Sequence, residues 1–203
     1  MTTPSIKGSI FASVVEDVNK VVASGDVRKD EVARWLGAAE IALLDAKILV
    51  SNWYDIRSYD RMNTLLRDVV GNGEDEYLRE RGRETARKLG AAGIYAQMEY
   101  LNRTEVSRAT GAARIEAFGR DLRKLTTISA SILNFSVWTP KPDPEHADRY
   151  LIEVTDARDF PDTLAWRSDG FVNGMSAKHS PGDLWRWERP SPDRVVFRMV
   201  RTA

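Results

Sequence analysis

Ile128-Ser129-Ala130-Ser131-Ile132-Leu133-Asn134-Phe135-Ser136-Val137-Trp138 is where the chain changes character. Upstream, apolar residues recur at helical spacing. Downstream they alternate. Ile132, Phe135, Val137 and Trp138 are β-branched or aromatic, the composition of a strand. Tyr150, Ile152 and Val154 then fall on one face of a second strand over 150–155. Between them, residues 139–148 hold Pro140, Pro142 and Pro144 and read as a loop, because proline cannot donate to a ladder. A helix over 160–178 follows, with Pro161 near its start. Strands at 184–188 and 195–200 close the chain, joined by the turn residues Pro190-Ser191-Pro192-Asp193.

Working back toward the start, helices are expected over 6–23, 30–46, 55–70, 74–89, 91–102 and 104–125. Gly25, Gly71-Asn72-Gly73 and Gly90 punctuate them. The 74–89 helix interleaves acids and bases, the pattern of a solvated helix, with Glu74, Asp75 and Glu76 gathered at its start. The expectation is a single α+β domain over 1–203, with a helical half to about 127 and a β-rich half from about 128. In it a helical layer packs on a small, mainly antiparallel sheet of about four strands.

Composition narrows the function classes. The 203 residues carry 30 basic and 30 acidic side chains, a formal net charge of +0. No basic excess is available for phosphate, so nucleic acid is not an expected partner. There is no cysteine, which excludes disulfides, thiolate metal sites and cysteine nucleophiles. Met1-Thr2-Thr3-Pro4-Ser5-Ile6-Lys7 lacks the order of a signal peptide, and the apolar runs 41–44 and 48–50 are too short to span a bilayer. A cytoplasmic location is the expectation.

No catalytic or metal-binding constellation is expected, and no cofactor. His146 and His179 are the only histidines, and both read as surface residues. Asp143, Glu145 and Asp148 lack the glycine and terminal glutamate of a calcium loop. Gly170 and Gly174 do not follow a strand of a βαβ unit and read as close packing against the sheet. Trp185 and Trp187 share a strand face and read as packing beneath the 160–178 helix.

Trp53-Tyr54 with Tyr59, Gly82-Arg83 with Ala86, Gly93-Ile94-Tyr95, Lys7-Gly8-Ser9 and Gly170-Phe171 with Gly174 are spread over nearly the whole chain. In order and spacing they resemble an uncharacterised myxobacterial paralogous family. That family is related to haem-NO-binding sensors, four-vinyl-reductase-type small-molecule-binding domains and vesicle-tethering TRAPP subunits. The resemblance implies a regulatory or adaptor domain that pairs through its helices. Leu125-Thr126-Thr127-Ile128-Ser129-Ala130 departs from the family's tryptophan and tyrosine-rich segment, and the cysteines of small-molecule-binding relatives are missing.

The aromatics are the remaining lead. Trp53, Tyr54, Tyr59, Tyr95, Tyr100, Phe118, Phe135 and Trp138 are the candidate lining of an apolar ligand pocket, set against a plain aromatic core. Trp53 and Tyr59 are expected to be buried side by side, and cutting a buried Trp to Ala costs roughly 3–5 kcal/mol. The leading functional expectation is a non-enzymatic regulatory or adaptor domain that binds a partner protein or a small apolar ligand. The alternatives are an enzyme working in the aromatic pocket and a structural assembly subunit. A homodimer is expected, built from apolar faces of the 6–23 and 30–46 helices.

Overall fold

The computed structural model describes residues 2–28, 30–91, 112–177 and 182–202. Its chain order is β1 (Ser5–Lys7), α1 (Gly8–Ser24), a 3-10 turn (Val32–Arg34), α2 (Ala38–Leu44), β2 (Trp53–Asp55), α3 (Ile56–Val69) and α4 (Glu76–Ala91). Then come α5 (Ala112–Ile132), β3 (Val137–Asp143), β4 (His146–Thr155), α6 (Asp162–Ser176), β5 (Trp185–Ser191) and β6 (Arg194–Met199). The fold is α+β, with a two-stranded sheet β1-β2 and a four-stranded sheet β3-β4-β6-β5, both antiparallel.

Register decides which sheet face is buried. Pairing aligns Trp138 with Val154 and Val195, and Pro140 with Ile152, Phe197 and Trp187. These residues therefore share one face, and Ile152, Val154, Val195 and Phe197 are fully buried there. Helix α5 packs on β3 and β4, and α6 on β5. The opposite face carries Lys141, Glu153 and Arg194 in one ion-paired row, and Arg198 paired with Asp143 in another.

Both sheet edges carry features that hinder further pairing. At one edge, β3 runs straight through Pro140 and Pro142, so the loop expected there is a strand. The two prolines are two residues apart, which aims both missing N–H groups the same way, along the open side where no ladder bond is lost. At the other edge, α6 supplies side chains in place of a strand. Asn173 Oδ1 accepts from the N–H groups of Leu184 (2.7 Å) and Trp185 (2.8 Å), and its Nδ2 donates to the Trp185 carbonyl at 3.1 Å. Asp169 Oδ2 accepts from the Trp187 N–H at 3.0 Å.

Helices α4 and α6 form the most extensive helix pair among the described residues. Their backbones touch at glycines. A methyl group built on Gly170 would overlap the Arg79 carbonyl, and one on Gly82 would overlap the Arg167 carbonyl and lie 2.8 Å from the Phe171 nitrogen. One turn further along, Gly174 faces the Ala86 methyl. The glycine pair at 170 and 174 thus packs on a helix and not on the sheet. Helix α4 is correspondingly not a solvated helix: Arg79, Gly82 and Ala86 form a buried stripe. Its outer face carries the ion pairs Glu80–Arg83, Glu80–Arg87 and Glu84–Lys88.

A buried arginine locks that crossing. Arg79 donates to Asp169 (2.8 Å), Glu76 (2.7 Å) and Asp183 (2.8 Å). Burial works against the Asp183 charge, but hydrogen bonds from Arg186, Arg79 and Arg83 outweigh it and hold that carboxyl far below its usual range. A buried charge is tolerated only when it is matched and hydrogen-bonded in this way.

Several boundaries move. Helix α5 continues through Ile132, past the texture change at 128, and strand pairing starts only at Val137. The expected 30–46 helix is the short turn Val32–Arg34 and α2, separated by extended backbone at Gly37. The expected 6–23 helix starts at Gly8, because Ser5–Lys7 pairs with Trp53–Asp55 as strands. It ends where expected, at Gly25, whose φ of 83° is the left-handed region that glycine adopts without strain. The 91–102 helix, with Gly93-Ile94-Tyr95, lies outside the described residues.

Gly170→Ala should cost roughly 3 kcal/mol or more, because neither backbone can retreat from an added methyl group. Urea unfolding followed by circular dichroism reads this as a lowered midpoint with an unchanged slope.

Candidate functional site

The loop that joins α2 to β2 presents Leu49 and Val50 outward, and local hydrogen bonding explains why. The first N–H groups of a helix have no partner inside it. Lys7, at the N-cap of α1, has no side-chain acceptor to offer. The loop backbone serves instead: the Gly8 N–H donates to the Asn52 carbonyl (2.8 Å) and the Ser9 N–H to the Val50 carbonyl (3.1 Å). Gly8 is required for this approach, because a methyl group there would overlap the Leu49 carbonyl. The Tyr54 hydroxyl accepts from the Leu49 N–H at 2.9 Å, and its ring stacks on Phe11 at 4.6 Å. With their backbone groups committed inward, Leu49 and Val50 point their side chains to solvent, 47% and 64% exposed.

Strand alternation adds a third group. Ile6 pairs with Tyr54, and Lys7 with Trp53. Ile6 is fully buried, which places Lys7 and Trp53 on the outer face. Trp53 is 43% exposed, and the Lys7 ammonium sits 4.1 Å from its ring centre. Such an exposed cation–π contact is worth roughly 0.5–1 kcal/mol. Asp55 shares the outer face and pairs with Arg57 at 2.6 Å. That hydrogen bond holds the Asp55 carboxyl below its usual range. Leu49, Val50 and Trp53 thus stand on a fixed backbone, bordered by Lys7, Asp55 and Arg57.

The approach to the loop is anchored as well. Glu40 of α2 is buried and accepts from Ser58 (3.0 Å), Arg61 (2.9 Å) and the Gly37 N–H (2.9 Å). Burial opposes its charge, but these partners prevail and keep its carboxyl low. Asn19 of α1 donates to the Leu44 carbonyl at 2.9 Å.

Of the candidate aromatics among the described residues, Tyr54, Tyr59, Phe118, Phe135 and Trp138 belong to or pack against one hydrophobic core, and Trp53 stands outside it. Trp53 and Tyr54 lie on opposite faces of β2, and Trp53 is exposed where burial was expected. Tyr59 is 2% exposed beneath Arg167, whose guanidinium carbon lies 5.8 Å from its ring centre. Phe118 contacts Tyr150 and Trp185, each at 6.2 Å. Phe135 and Trp138 meet Phe160, and Trp138 stacks on Phe197 at 5.5 Å. Tyr95 and Tyr100 lie outside the described residues. Trp185 is fully buried and donates to the Ser176 hydroxyl of α6, and Trp187 meets Trp166 of α6 edge-on at 5.3 Å.

Among the described residues, no group of three or more His, Asp or Glu side chains is placed to hold a metal ion, and no helix is long and apolar enough to cross a membrane. Asp143 pairs with Arg198 at 2.8 Å, and His146 is exposed on β4. His179 lies outside the described residues. No family model matches this chain, and neither a curated protein nor a solved structure matches it. Its role has to be read from its own residues.

In dilute protein, Trp53→Ala should cost less than about 1 kcal/mol, against roughly 3–5 kcal/mol for Trp185→Ala. Chemical unfolding of the two variants side by side measures the difference.

Proposed function

We propose that the chain is a non-enzymatic interaction domain, of regulatory or adaptor type, that pairs with a second copy of itself through the 48–53 loop. The observation that carries this reading is the outward display of Leu49, Val50 and Trp53 on backbone already committed to α1 and Tyr54. Grouped exposed apolar side chains mark interaction surfaces, whereas Val70, Val137 and Val200 are exposed singly. A backbone fixed in advance loses little entropy on docking. A central tryptophan with charged neighbours is the anatomy of a binding hot spot and its rim. Closed twofold pairing is the commonest assembly of soluble chains, which favours a second copy as the partner.

The surface differs from the one expected for a dimer. Phe11, Val14, Val15, Val18 and Val21 of α1 are buried inside the molecule, and α2 is a short helix whose apolar residues pack against the core. Among the described residues, the 48–53 loop displays Leu49, Val50 and Trp53 outward. The small-ligand reading has no comparable support: Tyr54, Tyr59, Phe118, Phe135 and Trp138 fill or flank the hydrophobic core, and Trp53 faces solvent.

Sedimentation equilibrium at micromolar concentration tests the proposal. The mass should rise from 22.9 kDa toward twice that value as concentration increases. Trp53→Ala and Val50→Asp should each weaken association about 30-fold or more while leaving the circular dichroism spectrum unchanged. A chain that stays at 22.9 kDa across the range contradicts pairing through this loop.

A further inference from the structure

Asn-Gly occurs twice in the chain, at Asn72-Gly73 and at Asn173-Gly174. Asparagine is a thermolabile residue. A glycine after it leaves the peptide nitrogen open to attack on the asparagine's own side-chain carbonyl carbon, because no Cβ shields it. The structure treats the two pairs oppositely. Asn173 is buried, and its amide is committed on every side. Oδ1 accepts from the Leu184 and Trp185 N–H groups, and Nδ2 donates to Asp169 and to the Trp185 carbonyl. Gly174 lies inside α6, where its N–H belongs to the helix ladder. That leaves neither group free to turn toward the other.

Asn72 is exposed, in the turn that joins α3 to α4, and its amide makes no hydrogen bond to a described residue. Both residues of the pair lie in the left-handed region, with φ 52° at Asn72 and 82° at Gly73. The Gly73 N–H donates to the Arg67 carbonyl at 3.0 Å, and the Glu74 N–H to the Gly71 carbonyl at 2.9 Å. Arg67 belongs to the last turn of α3, and helix ends open more readily than helix middles. The turn has little slack. A methyl group on Gly71 would lie 2.7 Å from that same Arg67 carbonyl oxygen and 2.6 Å from Cβ of Tyr77.

We propose that Asn72 is a site of spontaneous deamidation, gated by the hydrogen bond between Gly73 and Arg67, and that Asn173 is protected. When that bond opens, the Gly73 nitrogen gives its proton to solvent base and attacks Cγ of Asn72. The Cγ–Nδ2 bond breaks, and Nδ2 leaves as ammonia with a proton from water. Water then opens the cyclic imide at either carbonyl and leaves an aspartyl or an isoaspartyl residue. The aspartyl product places a carboxylate just before α4, beside Glu74 and Asp75, where a helix start favours negative charge. The isoaspartyl product adds a methylene group to the main chain of a tight turn, which loosens the start of α4. None of these residues belongs to the 48–53 loop, so the site stands or falls independently of pairing.

Peptide mapping by mass spectrometry, after incubation at mildly alkaline pH, tests the site, with the same chain unfolded in urea as the reference. In native buffer Asn72 should convert while Asn173 stays intact. In urea both should convert, Asn72 about tenfold or more faster than in native buffer. Gly71→Ala crowds the carbonyl that holds Gly73, so it should speed native conversion of Asn72 about threefold or more and leave the rate in urea nearly unchanged. If Gly71→Ala fails to fold, the wild-type rates in native buffer and in urea carry the test. No conversion of Asn72 in native buffer, or conversion of Asn173 there as fast as Asn72, overturns the site. Equal Asn72 rates in native buffer and in urea, or no acceleration in a folded Gly71→Ala variant, overturns the gating.

Discussion

The crossing of α4 over α6 is the constraint on which the rest of the molecule depends. Two helices can bring their backbones into contact only where side chains are missing, and Gly82, Ala86, Gly170 and Gly174 supply that gap. Close approach then places Arg79 where it can reach Asp169 and Asp183 together. Asp169 and Asn173, one turn apart on α6, have their remaining polar atoms directed at the backbone of Leu184, Trp185 and Trp187. One crossing thus sets the helix spacing, satisfies a buried charge and closes a sheet edge. Breaking a network of this kind leaves unpaired buried groups, which is far more destabilising than the net worth of its bonds suggests.

The same geometry separates what is held from what is offered. The edges of the four-stranded sheet are blunted, by Pro140 and Pro142 on β3 and by α6 side chains at the start of β5. Its charged face is tied up in ion pairs such as Lys141–Glu153–Arg194. What the molecule leaves unsatisfied is therefore informative. Leu49, Val50 and Trp53 face solvent, and Arg167 sits in the interior with no carboxylate partner among the described residues. The first is a surface matter and the second an interior one.

Much of the architecture was legible in the sequence, because periodicity is a local property. The alternation at Tyr150, Ile152 and Val154 identified β4, the 74–89 stretch identified α4, and Gly25 marked the end of α1. The failures occurred where tertiary context overrides a local rule. Pro140 and Pro142 forbid a central strand but not an edge strand, and edge position is a property of the sheet. Ile128 and Ile132 favour a strand on propensity, yet α5 runs on as helix through both. Trp53 was expected in the core from its place at the junction between the second helix and the next, but only the pairing of Lys7 with Trp53 reveals which face of β2 it occupies. The candidate sites were the least legible. Arg79 and Asp169 are 90 residues apart and Asn63 and Arg167 are 104 apart, so nothing in the local sequence announces either contact. The glycine motifs at 82 and 170 were each visible, but their meeting was not.

If the α4–α6 crossing organises the molecule, then α4, α6 and β5 must open together. Native-state hydrogen exchange at increasing denaturant tests this directly. The account predicts that the amides of Gly82, Gly170, Trp185 and Trp187 exchange through one common opening whose free energy equals that of global unfolding. Exchange of the Trp185 and Trp187 amides through a separate, lower-energy opening, as expected of an ordinary edge strand, would contradict it.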